Sequence, residues 1–476
     1  MRSASVTTMW KELRRWPYVL GALVLLGLYV STLFGARAND DRPIGSAEDI
    51  ERLSQRNDVN VLFIVIDTLR AHRLGSYGYE RDTSPKLDSL VASGVRFARH
   101  LSQSSWTKTA MASLWTGLNP VRTGVLRYNH VIPTEATLPA EILAKEGFRT
   151  AGIWRNGWVA PNFGFEQGFD NYQRPAQKPT AAKMRRESPH VSLAGSDADV
   201  LDSAVEFLRI HGHARWFAYL HMMDVHQYAY SEDTALFGSG YADMYDNSIR
   251  YVDNVIGLLL AHLSEKGQLD KTLVVITSDH GEAFRERGLE GHARAVYRES
   301  TEVPFILSFP FKLAGGAVID IRTRNVDVWP TLLDLLGLPP LPDTDGRSLA
   351  PLILAAVRGA PSEDESPPAF AHLDRSWGQT GQSSQPTVAV ARRDLRFVYT
   401  RDASGAAREE LFDQSVDVLE MQDMLAERRD DAAELRDLAL QYLEASPPSP
   451  WGVNAHQIEI DQLQLQQLRA LGYQIP

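Results

Sequence analysis

Five short runs of unbroken apolar sequence, rich in β-branched residues, constrain this chain more than any other feature: residues 60–66 (NVLFIVI), 148–154, 215–221, 272–277 and 303–309. A strand with one wet face alternates apolar and polar residues, whereas a continuous run suits a strand covered on both faces, as in parallel sheets. Between the runs lie helical stretches at 138–146, 197–210 and 241–266, which end at or near Gly147, Gly212 and Gly267. In the last, Tyr245, Ile249, Val252, Ile256, Leu259 and Leu263 recur every three or four residues and form one apolar stripe. Strands alternating with helices predict an α/β fold, a mixed, mostly parallel sheet sandwiched by helices. A change of texture near Pro339, followed by strand-like residues at 387–400 and 409–412 and helical ones at 420–444 and 458–471, predicts a smaller C-terminal α+β subdomain.

The N-terminus adds a location. Residues 16–36 (WPYVLGALVLLGLYVSTLFGA) carry no charge over 21 positions, enough for a helix to cross about 30 Å of hydrocarbon. Arg2, Lys11, Arg14 and Arg15 precede this segment against one acid, Glu12, so the positive-inside rule exports everything downstream. An uncleaved anchor is favoured over a cleaved signal peptide, whose apolar core spans about 7 to 15 residues. The expected organisation is therefore a cytoplasmic end plus transmembrane helix (1–38), a stalk (39–57), a catalytic domain (58–340) and the C-terminal subdomain (341–476). The product would sit in the cell membrane with its catalytic part outside the cytoplasm, periplasmic in a Gram-negative cell. With 49 Lys and Arg against 60 Asp and Glu, the net charge of −11 argues against nucleic acid as a partner. The chain has no Cys, which removes disulfides, thiolate metal sites and any cysteine nucleophile.

Ligands of open α/β sheets bind beyond the carboxyl ends of the strands, and polar residues collect there. The first run ends in Asp67, the second leads to Arg155 and Asn156, the third continues to Asp224 and His226, and the fourth ends in Asp279 and His280. Each acid taken alone reads first as a helix cap or turn former. Together they make an oxygen and nitrogen ligand set suited to Ca, Mg, Mn or Zn. In SSWTKTAMASLWTGLNP a hydroxyl-rich loop enters a helix of small residues, where exposed amides and the helix dipole favour an anion. Thr107 at that helix start is either a plain N-cap or a nucleophile sharpened by a neighbouring metal.

These strings resemble the sulfatase-like branch of the alkaline phosphatase superfamily from about Asn60 to the C-terminus. NVLFIVIDTLRAHRLGSYGY is similar to the opening strand with the first metal acid, and WTKTAMASLWTGLNPVRTGV to the nucleophile helix. GFEQGFDNY, LHMMDVHQYAY, LVVITSDHGEAF, VYRESTEVPFIL, NVDVWPTLLDLLGL and LRALGY follow in the family's order. The resemblance implies an alkaline-phosphatase-like fold and a divalent metal held by Asp67, Asp279, His280 and Thr107. It further implies catalytic roles for Thr107 as nucleophile, for His226 and His292 facing the substrate, and for Lys108 as a second cation. Sulfatases carry Cys or Ser in a Cys/Ser-x-Pro-x-Arg signature that becomes formylglycine, whereas residues 107–111 here lack Cys, Pro and Arg. Thr68 replaces the usual second Asp, and Arg287 and Thr123 stand where relatives often have His.

The expected activity is a metal-dependent hydrolysis of phosphate, phosphonate or sulfate esters through a covalent Thr intermediate, on an anionic substrate carried by a lipid or glycan. Transfer of a lipid or glycan headgroup, and a lapsed enzyme kept as a binding protein, are the alternatives.

Overall fold

The computed structural model describes residues 40–177, 184–186, 195–361, 366–379, 381–452 and 455–469. It divides into Met1–Arg42, of which only 40–42 are described, and Pro43–Pro476. The expected transmembrane segment at 16–36 lies outside the described residues. Among the described residues no helix is long and apolar enough to cross a membrane.

The buried apolar runs become the middle of an eight-stranded sheet. Its strands are β1 (Asn60–Ile66), β2 (Val95–Phe97), β3 (Arg149–Trp154), β4 (Asn171–Gln173), β5 (Trp216–Met222), β6 (Thr272–Thr277), β7 (Phe305–Ser308) and β8 (Ala317–Ile319), in the order β8-β2-β7-β6-β1-β5-β3-β4. Only β7 runs against its neighbours β6 and β2; every other pairing is parallel. All seven residues of β1 and of β5 are buried, as continuous apolar runs require.

Helices cover both faces, and strand parity decides which residue meets which layer. One layer contains Phe63 and Val65 of β1, Tyr219 of β5, Val275 of β6 and Trp154 of β3, packed with Met111, Leu114 and Trp115 of helix α1 (Thr107–Thr116). The opposite layer takes Ile64, Ile66, Leu220 and Ile276, packed against α2 (Asp197–His211) and the long α3 (Tyr241–Glu265). The stripe read along 241–266 is the buried edge of α3, with Tyr245, Ile249, Val252, Ile256, Leu259 and Leu263 all buried.

The C-terminal part is a four-stranded antiparallel sheet, β9 (Ala369–Asp374), β10 (Pro386–Arg392), β11 (Leu395–Arg401) and β12 (Ala407–Asp413), covered by α4 (Arg429–Glu444). Several expectations need correcting. Residues 387–400 are two strands, because Arg393 turns the chain at φ 53° without a Gly or Asn to announce it. The helix expected from 420 begins at Arg429, since Glu420 takes φ 56° and residues 420–428 form a loop. Part of the expected stalk is folded: Ile44–Gly45 pairs with Lys312–Leu313, and helix Ala47–Arg52 buries Ala47 and Ile50. An apolar stripe of Ala47, Ile50 and Leu53 at three-residue spacing explains this, which the polar composition concealed.

Trp115, in the last turn of the helix that carries Thr107, stacks on Trp329 at 5.3 Å and meets Tyr219 edge-on at 5.0 Å. Trp115→Ala should therefore destabilise the chain by about 3–5 kcal/mol. A urea unfolding midpoint close to that of the unaltered protein would contradict this packing assignment.

Candidate active site

The strand parity that faces α1 continues past the strand ends. Asp67 lies two residues beyond Val65, Asp279 two beyond Thr277, and Asn156 two beyond Trp154. His221 lies two residues beyond Tyr219 in β5. Side chains of one parity from four parallel strands therefore gather under the N-terminus of α1. Thr107 is the first residue of that helix, and Gly117, at φ 69°, ends it. All ten residues of α1 are buried, so the small side chains Ala110 and Ala112 let it lie close against the sheet.

Thr107 Oγ1 lies 3.1 Å from His280 Nε2 and accepts a 3.2 Å hydrogen bond from Asn156 Nδ2. One ligand atom each of Asp67, Asp279 and His280 lie within 4.8 Å of one another, and all three residues are buried. Asp67 Oδ2 accepts from Asn156 Nδ2 at 2.6 Å and pairs with His221 Nε2 at 3.0 Å. Asp279 Oδ1 accepts from the backbone amides of His280 at 2.8 Å and Thr68 at 3.2 Å. The second oxygens, Asp67 Oδ1 and Asp279 Oδ2, are buried without a hydrogen-bond donor. Buried acceptors left in that state cost free energy unless a cation satisfies them.

The histidine tautomer fits the same requirement. His280 Nδ1 sits 2.9 Å from the Gly281 carbonyl, which only accepts, so in neutral imidazole Nδ1 carries the proton and the Nε2 lone pair faces Thr107 and Asp279. Burial and the charge of Asp67 both push the Asp279 carboxyl above its ordinary value. For Asp67, burial acts upward but His226, His221 and His280 outweigh it, and its carboxyl is held low. Two buried acids with donor-free oxygens and an imidazole lone pair match the hard-donor set of a divalent cation.

His292 and His226 lie beside His280. The His292 ring is 4.5 Å from that of His280 and 4.9 Å from that of His226, and its Nδ1 lies 3.1 Å from Glu282 Oε2. Burial lowers the His226 imidazole to about 4 and raises the Glu282 carboxyl to about 7. Lys108 goes elsewhere. Successive helix residues are rotated by about 100°, so its ammonium is buried between the Trp158 and Phe163 rings, 5.0 and 4.1 Å from their centres, and donates to the Tyr128 carbonyl. Burial pushes that ammonium well below its ordinary value, and no hydrogen bond joins it to the cluster. The expected second cation is thus a packing element of α1.

Three contributors had no specific role assigned from the sequence. Asn156 touches both Asp67 and Thr107, yet after a strand it reads only as the cap it also is, accepting from Trp158 N at 2.9 Å. His221 lay inside an apolar run. Thr68 adopts φ 61°, rare for a β-branched residue, which aims its amide at Asp279 while Tyr245 donates to its carbonyl at 2.7 Å. Asp224, a candidate by position, is absorbed structurally: Arg155 bridges it and Asp197 at 2.6 Å each. Arg287 clamps Glu299 at 2.5 Å and donates to the Leu419 and Glu420 carbonyls, in the chain that follows the C-terminal sheet.

Comparison with known proteins agrees with this arrangement. The sulfatase family profile matches residues 59–338, and the profile of the N-sulphoglucosamine sulphohydrolase C-terminal region matches residues 291–438. Human (Homo sapiens) arylsulfatase A is 29% identical over 348 residues, covering 62% of this chain and 68% of that protein. The ulvan-active sulfatase of Formosa agariphila is 25% identical over 342 residues, covering 64% and 66%. Among solved structures, the phosphonate monoester hydrolase of Agrobacterium radiobacter superposes with a TM-score of 0.62 at 20% identity, over 81% of this chain and 95% of that one. A 2-O GAG sulfatase superposes at 0.66 with 18% identity, over 81% and 92%. At such identities the structures speak for the fold, while the profile spans more than half of the sequence. On the strength of that match, and of acids and histidines gathered at the carboxyl edge of its sheet, the chain belongs to the sulfatase family of ester hydrolases.

Proposed function

We propose that this protein is a metal-dependent, membrane-tethered hydrolase acting outside the cytoplasm on phosphate or phosphonate esters, with Thr107 as the nucleophile. The observation that carries the reading is the position of Thr107 Oγ1, 3.1 Å from His280 Nε2 at the first turn of a helix and beside two carboxylates with donor-free oxygens. Asp67, Asp279, His280 and Thr107 would hold the cation. When bound, a divalent ion lowers the pKa of a hydroxyl and offsets charge on the ester's oxygens.

The residues of the chain supply the rest. The α1 amides and dipole favour an anionic ester at Thr107. Asn156 Nδ2 orients the Thr107 oxygen by the hydrogen bond it donates there, while its other N–H holds Asp67. Thr107 Oγ1 attacks phosphorus as its proton passes to the neutral imidazole of His226 or His292, the P–O bond to the leaving alcohol breaks, and the imidazolium so formed gives that proton to the alcohol. Water then attacks the phosphothreonine and returns the free hydroxyl. Glu282 holds His292 through Nδ1, which turns the other ring nitrogen towards the site.

Phosphorus is favoured over sulfur by the nucleophile itself, because Thr107, in a stretch without the Cys/Ser-x-Pro-x-Arg signature, cannot supply the formylglycine of sulfatases. Water as the acceptor is favoured over a second alcohol, because lipid-headgroup transferases commonly carry several membrane helices and this sequence offers one segment, 16–36. An extended anionic glycan or a lipid headgroup supplies the ester.

Incubation with a radiolabelled aryl phosphate should leave label on Thr107, and Thr107→Ala should remove the label and lower kcat by more than about 10³-fold. Failure to label with either aryl phosphate or aryl sulfate, while metal is retained, would identify a lapsed enzyme instead. Asp279→Ala should cost at least about tenfold more rate than His226→Ala, since it removes cation and nucleophile activation together; equal small losses contradict this division of labour. In fractionated cells the full chain should sediment with membranes through carbonate washing and be digested by protease added outside; recovery in the soluble fraction rejects the tether.

A further inference from the structure

Asp67 has two oxygens with opposite surroundings, and the difference is made from the strand next to it. Oδ1 has no hydrogen-bond donor, whereas Oδ2 takes both Asn156 Nδ2 and His221 Nε2. β5 lies parallel to β1 with Val65 opposite His221, and the Asp67 amide donates to the Met222 carbonyl at 3.0 Å. His221 is therefore carried to Asp67 by the register of the two strands. Two residues earlier on the same face, the Tyr219 hydroxyl is 2.5 Å from His221 Nδ1. Tyr219, His221 and Asp67 are all buried.

The chemistry of the three groups gives this chain a direction. Tyr219 is a buried phenol whose ionisation burial pushes well above its ordinary value, so it stays a donor. His221 Nδ1 then accepts, its proton resides on Nε2, and Nε2–H points at the carboxylate. Nothing in a hydrophobic strand calls for a histidine hydrogen-bonded on both nitrogens, because burying such a pair costs free energy that an apolar pair would not.

We infer that Tyr219 and His221 form a positioning relay that locks the carboxylate of Asp67 so that one oxygen, Oδ1, is presented to the divalent cation beside Thr107. The inference rests on the cation reading of Asp67, Asp279 and His280 given above. Neither residue touches the ester; both act through Asp67, in the manner of partners that orient ligands from behind. The relay also shares Oδ2 with Asn156, so it holds the donor of Thr107 at the same time.

The test is calorimetric titration of Mn²⁺ into the full-length, detergent-solubilised protein after chelator treatment, paired with thermal unfolding of the stripped protein. His221→Leu should weaken Mn²⁺ binding by about 10- to 100-fold, and Tyr219→Phe by a smaller factor, about 3- to 10-fold. His221→Gln keeps an N–H for Asp67 and should restore binding to within about 3-fold of the parent. Excess Mn²⁺ should return the kcat of Tyr219→Phe to the parent value with KM for an aryl phosphate unchanged, which a packing defect would not do. Parent-like Mn²⁺ affinity in Tyr219→Phe and His221→Leu overturns the relay while leaving the cation site standing. Should His221→Leu fail to fold, Tyr219→Phe, which removes one oxygen atom, decides alone. A parent protein that binds no Mn²⁺ overturns the cation reading and the relay with it.

Discussion

Two carboxylates held face to face in a dry interior, each with one oxygen lacking a donor, set the terms for everything around them. Asp67 and Asp279 follow neighbouring parallel strands of the sheet, with Val65 opposite Thr277, so the pairing of β1 with β6 brings them together. Like charges in a medium of low dielectric repel strongly. The surroundings answer with backbone amides on Asp279 Oδ1, with Asn156 and His221 on Asp67 Oδ2, and with the imidazole of His280 between. What those groups leave over is one donor-free oxygen on each acid, and the Thr107 hydroxyl lies beside them, 3.1 Å from His280 Nε2.

The sheet explains why so few residues suffice. In parallel strands all carboxyl ends lie on one edge, and residues of one parity share one face. Asp67, Asn156 and Asp279 each continue, just past its strand, the parity that packs α1, and His221 keeps it within β5. Moving a register by one residue would send such a side chain into the opposite helical layer, among Ile64, Ile276 and Leu220. The core packing of Trp115, Phe63 and Trp329 thus bears on chemistry, because it sets the depth at which Thr107 meets those acids.

Much of this was legible beforehand. The central strands read directly, since a buried parallel strand has a distinctive composition, and Asp67, Asp279 and His280 announced themselves as polar residues closing apolar runs. The short strands β2, β4 and β8 were not legible, being three residues each and too short for a pattern. The turn at Arg393 and the loop at Glu420 were hidden because both rest on positive φ in residues that seldom adopt it. Lys108 misled because adjacency in sequence to Thr107 is not adjacency in space on a helix, where the next residue points a third of a turn away.

By itself the sequence determined the class of fold, the order of its elements and the polar residues that close its central strands. It did so through local properties: hydrophobic run length, helix punctuation and residue identity. Only the tertiary structure decided that Asn156 and His221 share one oxygen of Asp67, that Lys108 is enclosed by aromatic rings, and that Asp224 is spent on Arg155. Those outcomes depend on strand register and helix rotation between segments far apart in the chain, and a hydrogen bond 2.6 Å long between residues 89 apart leaves no local trace.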